Sequence, residues 1–114
     1  MNTENIKAQM RKGVLEYCIL SIIKRGDAYV SDLIDELKKG QLIVVEGTLY
    51  PLLTRLKNAE FLTYRWEEST SGPPRKYYAV TPKGEIFLTE LAQVWEKLTQ
   101  SVNIITNSNN YTHE

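Results

Sequence analysis

The hydrophobic period of this chain switches from helical to extended after Ala59 and back to helical at Pro82, and few folds accommodate both switches. Over residues 47–59, Leu49, Leu52, Leu53, Leu56 and Ala59 recur at helical spacing and form one apolar face. Pro51 has no N–H to donate and belongs in a first turn, so a helix that begins earlier must kink there. Leu62, Tyr64 and Trp66 then alternate with Thr63, Arg65 and Glu67, the pattern of a half-buried strand. Ser69 to Pro74 reads as a loop and Lys76 to Val80 as the returning strand, giving a β-hairpin with a loop of about six residues.

Helices are expected on both sides of this unit. Residues 6–25 read as one helix whose wide apolar stripe, from Ile6 and Met10 to Ile22 and Ile23, demands burial on more than one side. A short helix follows over Val30 to Lys39, capped by Ser31 or Asp27 and ended by Gly40. After the hairpin, Thr81 caps a last helix and Pro82 takes its first position. Leu88, Leu91, Trp95, Leu98, Val102 and Ile105 then alternate spacings of three and four, a heptad seam over roughly three heptads. Residues 107–114 are polar and read as a disordered tail. The expected division is a domain over 1–80, a dimerisation helix over 81–106 and that tail.

Composition narrows the function classes. A chain of 114 residues, 42% hydrophobic and 25% charged, suits one globular core. The stretch Tyr17 to Ile23 falls far short of a membrane span, and Met1 to Lys12 is too polar for a signal peptide. Cys18 has no cysteine to pair with and reads as a buried, inert thiol in a reducing cytoplasm. His113 is the only histidine and lies in the tail, so no histidine-based triad or metal site can be assembled. Asp35-Glu36 and Glu67-Glu68 are adjacent pairs whose side chains diverge. Neither an enzyme nor a cofactor is expected. Net charge is zero, but residues 1–76 carry twelve Lys/Arg against ten Asp/Glu, a bias compatible with phosphate binding.

The predicted fold is therefore mainly α (α+β), a winged helix-turn-helix with a two-stranded wing and a long C-terminal dimerisation helix. In such a domain the helix over 47–59 enters a DNA major groove and the hairpin is the wing. With the leucines inward, Thr48, Tyr50, Thr54, Arg55, Lys57 and Asn58 face out. Arginine can bridge guanine O6 and N7, and asparagine can read adenine. Threonine methyls meet thymine, while hydroxyls and lysines take phosphates. Arg75 and Lys76 follow Gly72-Pro73-Pro74, a stiff stretch that holds two cations at small entropic cost. An ordinary amphipathic helix and a basic edge that discourages aggregation would look similar in isolation.

Two long motifs resemble those of the PadR family of transcriptional regulators. Gly47-Thr48-Leu49-Tyr50-Pro51-Leu52-Leu53-Thr54-Arg55-Leu56 resembles its recognition-helix signature G-T-L-Y-P-x-L-x-R-L. Residues 72–84, from Gly72 through Arg75-Lys76-Tyr77-Tyr78 to Gly84, are similar to its wing signature G-x-P-R-K-Y-Y-x-L-T-x-x-G. Arg11-Lys12-Gly13-Val14-Leu15-Glu16 is similar to its R-x-G-x-L-E. The resemblance implies a bacterial homodimeric repressor on a pseudo-palindromic operator. It assigns Thr48, Tyr50 and Arg55 to the DNA face, and Gly72, Arg75 and Lys76 to backbone contacts by the wing. Two positions depart from the family pattern. Val30-Ser31 stands where a glycine and an aromatic are common, and Phe61 where a glycine usually ends the recognition helix, leaving Asn58 or Ala59 to end it here.

The seam Leu88, Leu91, Trp95, Leu98 and Val102 has no partner in the sequence, and pairing with a second copy would bury it. Trp95 either fills that dimer core or, as resemblance to the short-tailed, multidrug-regulator-like subgroup implies, lines a flat pore and stacks on a planar aromatic effector. The competing function is a dimeric winged-helix protein-interaction module without DNA binding.

Overall fold

The computed structural model describes residues 2–107. Its elements in order are α1 (Thr3–Lys12), α2 (Leu15–Arg25), α3 (Val30–Lys39), α4 (Glu46–Asn58), β1 (Leu62–Ser69), β2 (Gly72–Val80) and α5 (Pro82–Thr106). The architecture is mainly helical with one antiparallel two-stranded sheet, the winged helix-turn-helix expected.

The single helix expected over residues 6–25 is two helices. The Val14 N–H bonds the Arg11 carbonyl at 3.0 Å instead of continuing the α ladder, and Gly13 caps α1. Glycine is poor helix material, by about 1 kcal/mol relative to alanine. The break also marks where burial begins. Helix α2 buries Leu15, Ile19, Leu20, Ile22 and Ile23, whereas α1 buries nothing and leaves Met10 exposed.

Helix α2 is the centre of the core and packs on α3, β2 and α5. Ile19, Leu20, Ile23, Leu33, Leu49, Leu53, Leu56 and Leu62 are fully enclosed there. Cys18 is half-buried beside them, and burial pushes its thiol up. Neither Ser31 nor Asp27 caps α3. Tyr29 takes the N-cap position, and its N–H donates to Asp32 Oδ2 at 2.9 Å. At the other end Gly40 keeps a negative φ, and Gln41 adopts the left-handed conformation at φ 68°. The Leu42 N–H closes the turn onto the Leu37 carbonyl.

Helix α4 starts at Glu46, so Pro51 lies inside it and deprives the Gly47 carbonyl of its helical donor. Leu49, Leu53 and Leu56 are buried and Leu52 packs at the edge of the core. The helix ends at Ala59, with Glu60 rather than residue 61 in the left-handed conformation at φ 67°. The Phe61 N–H bonds the Leu56 carbonyl at 2.9 Å.

The hairpin is tighter than expected. Strands reach Ser69 and Gly72, leaving Thr70 and Ser71 as the turn, and Pro73 and Pro74 lie within β2. They are tolerated because the register shifts between Glu67 and Ser69, opposite the prolines, where the ladder has no N–H to lose. Leu62 pairs with Val80, Tyr64 with Tyr78 and Trp66 with Lys76. Ala28 adds a bridge to the free side of β2 through two hydrogen bonds with Tyr78, of 3.0 and 2.9 Å.

Thr81 caps α5 by accepting the Gly84 N–H at 2.9 Å, while its hydroxyl donates to the Glu60 carbonyl at 2.6 Å. Gly84 is required by proximity: a Cβ there would overlap the Phe61 carbonyl and sit 2.9 Å from Val80 Cγ1. The first turns of α5 therefore belong to the core, with Leu88 buried and Phe87 stacked on Phe61 at 4.0 Å. The rest of the helix extends beyond that core, and the molecule with it measures 66 Å in its longest dimension. Asn107 ends α5; the remainder of the expected tail, residues 108–114, lies outside the described residues.

Candidate nucleic-acid interface

Burial of three leucines fixes the roll of α4, and Thr48, Tyr50, Thr54, Arg55, Lys57 and Asn58 are all exposed as expected. Arg55 is not free, however. Its guanidinium is ion-paired to the Glu16 carboxylate on α2, which is 22% exposed at its side chain against 66% for Arg55. One edge of the guanidinium is thereby held while other donors remain open to solvent.

The wing is anchored on the face that carries Arg65. Arg65 donates to Asp27 Oδ2 and Glu67 Oε1, both at 2.9 Å, and lies 4.4 Å from the Tyr77 ring centroid. The Tyr29 hydroxyl donates to Glu67 Oε2 at 3.3 Å; partial desolvation and that carboxylate push the phenol up from its usual range. Arg75 stacks 4.3 Å over the Tyr29 ring and donates to Ser31 Oγ. The expected wing cation is thus held against the start of α3, with little freedom left to lose on binding. Lys76, next along β2, lies 4.5 Å over the Tyr64 ring and 5.5 Å over the indole of Trp66.

Two recesses lie between wing and α4. Tyr50, Arg75 and Lys76 line a cleft of about 270 Å³ together with Ser31, Glu46 and Trp66. Thr54, Lys57 and Lys76 line a smaller one of about 130 Å³ beside Tyr64. Thr48 lies exposed outside both, Arg55 faces Glu16, and Gly72 sits exposed at the hairpin tip.

Three residues at the site escaped the sequence reading. Trp66 shares its face with Leu62 and Tyr64, but the core stops at Tyr64 and Tyr78, leaving the indole 61% exposed. Its position last in the alternating series was the available signal. Ser31 and Glu16 carried no local signal, because their partners Arg75 and Arg55 lie far along the chain.

On α5, Leu88 is already seated in the chain's own core and Leu91 is half-buried. The exposed part of the seam is Trp95, Leu98 and Val102, with Val94 beside it. Among the described residues no helix is long and apolar enough to cross a membrane.

A three-helix core, a leucine-backed second helix of the pair and a pinned basic hairpin define a winged helix-turn-helix protein. The chain belongs to the PadR-like family of transcriptional regulators, whose model matches residues 19–90. A crystal structure of a PadR-like transcription factor from Bacteroides fragilis is 61% identical, covers 90% of this chain and 99% of its own, and has a TM-score of 0.75. A PadR-like regulator from Bacillus cereus is 41% identical over 85% of this chain and 95% of its own, with a TM-score of 0.74. Bacillus subtilis PadR, solved in complex with operator DNA, is 27% identical over 69% of this chain and 46% of its own, with a TM-score of 0.64. The family consists of transcriptional regulators, not enzymes.

Proposed function

We propose that this chain is a sequence-specific repressor that acts in the bacterial cytoplasm as a homodimer on a pseudo-palindromic operator. The carrying observation is the cleft that joins the polar face of α4 to the two cations of a rigidly anchored wing. Thr48, Tyr50 and Thr54 present hydroxyls and methyls to base edges, and Arg55, oriented by Glu16, offers its open donors to guanine. Lys57, Arg75 and Lys76 take phosphates, and the Gly72 end of the wing approaches the backbone closely. The operator complex of the Bacillus subtilis relative supports this reading.

The exposed apolar strip of Trp95, Leu98 and Val102 on α5 supports the dimer, and a two-fold axis matches two half-sites. Trp95 stands 42% exposed in that seam. Two indoles across a two-fold axis make a flat slot, and a planar aromatic effector is the ligand class that fits it. The test is retention of duplex DNA from upstream of the chain's own gene in a gel shift. Affinity that falls steeply with salt, and falls further for a scrambled duplex, is the expected result. Salt-insensitive or absent retention leaves the protein-interaction module in its place.

A further inference from the structure

We infer that the cleft between α4 and the wing grips one sugar–phosphate unit of the DNA backbone, with the Trp66 indole packed on deoxyribose and Arg75, Lys76 and Ser31 around the phosphate. The inference rests on the DNA-binding reading and deepens it. Trp66 is a large apolar side chain left outside the core, 61% exposed at the end of the buried face of β1. It meets Tyr64 edge-on at 6.0 Å, and its exposure leaves ring surface open to solvent. A cation flanks it: Lys76 is its cross-strand partner and lies 5.5 Å from the indole.

The walls of the cleft are amphiphilic in the way a nucleotide backbone is. Arg75 and Lys76 stand on the β2 side, with the Ser31 hydroxyl next to Arg75 and Tyr50 across the gap on α4. Glu46 also lines the cleft, from the first turn of α4. Its carboxylate repels a phosphate, which is thereby confined to the Arg75–Lys76 end. Deoxyribose presents C–H groups that suit an indole face, and a phosphate at its edge is neutralised by the two cations. A free phosphate would use only the charged half of this surface; only a backbone unit uses both.

Binding to promoter duplex and to a scrambled duplex is measured for wild type, Trp66→Ala, Trp66→Phe and Lys76→Ala across a salt series. Trp66→Ala is expected to weaken both duplexes about tenfold with an unchanged salt slope. Trp66→Phe restores most of the affinity, and Lys76→Ala lowers the slope by about one. An exposed position keeps the melting temperature of Trp66→Ala near wild type. In a Trp95→Phe background, whose own affinity is the reference, Trp66 emission shifts with duplex and not with inorganic polyphosphate. Unchanged affinity in Trp66→Ala, loss for the promoter duplex alone, or an equal shift with polyphosphate overturns this inference while DNA binding stands. A wild-type chain without salt-sensitive affinity for either duplex overturns both.

Discussion

Arg55 on the outer face of α4 is ion-paired to Glu16 at the start of α2. Helix α2 also packs on α5, so this ion pair ties α4 to the helix that carries α5. Because Arg55 remains mostly exposed, the pair contributes on the order of 0.5 kcal/mol to folding. Its larger role is to fix the direction of the guanidinium. Arg55→Ala is expected to weaken promoter binding and relax base preference at one position. Glu16→Gln is expected to produce part of the same relaxation without touching DNA. The double variant should resemble Arg55→Ala alone in a binding cycle. Additive losses would show that Glu16 does not orient Arg55.

Two backbone positions predict opposite stability effects within one corner. Glu60 is held at φ 67°, where a side chain costs about 1–2 kcal/mol, and the Phe61 to Leu56 hydrogen bond closes the turn around it. Glu60→Gly is expected to stabilise by about 1 kcal/mol, a rise of a few degrees in melting temperature. Gly84→Ala drives a methyl into the Phe61 carbonyl in the same corner and is expected to cost about 1–3 kcal/mol. Thermal melts followed by circular dichroism decide both, and a neutral Gly84→Ala would contradict the close approach.

Burial pushes the Tyr78 phenol up from its ordinary 10.0, and the Cys18 thiol up from 9.0. A folded-state value above the unfolded one means the neutral forms stabilise the fold. That stability is fully present below the unfolded values and is lost as pH rises through the folded ones. Melting temperature should therefore hold near neutrality and decline above roughly pH 9. Tyr78→Phe should flatten part of that decline, because its ring still fills the site beside Tyr64. A decline of the same size in Tyr78→Phe would assign it elsewhere.

Element types were legible because burial imposes periodicity: Leu49, Leu53 and Leu56 mark α4, and Thr81-Pro82 marks the start of α5. What escaped depended on contacts distant in sequence. The break at Gly13 falls where burial begins at Leu15, and the prolines of β2 fit because of a register shift opposite them. Gly40 ends α3 as the sequence suggests, and the left-handed conformation falls one residue later, at Gln41. At the candidate site, the exposed face of α4 followed from the leucine spacing. The partners that immobilise it, Glu16 for Arg55 and Tyr29 with Ser31 for Arg75, are visible only in three dimensions.

The exposed seam of α5 yields the prediction on which the dimer stands. Leu98 and Val102 are 53% and 48% exposed and follow Trp95 on one side of the helix. Leaving such a strip in water forgoes roughly 1.5–3 kcal/mol for each large side chain that pairing could bury. Leu98→Glu combined with Val102→Glu places carboxylates on that strip without entering the protomer core, which ends at Leu88 and Leu91. The variant is expected to run as a folded monomer in light scattering, with wild-type helicity. Its affinity for a two-half-site duplex should fall by about a hundredfold or more, since the second half-site no longer binds intramolecularly. Its affinity for a single half-site should change little. A variant that stays dimeric would place the interface on another surface, with α1 and its exposed Met10 the next to examine.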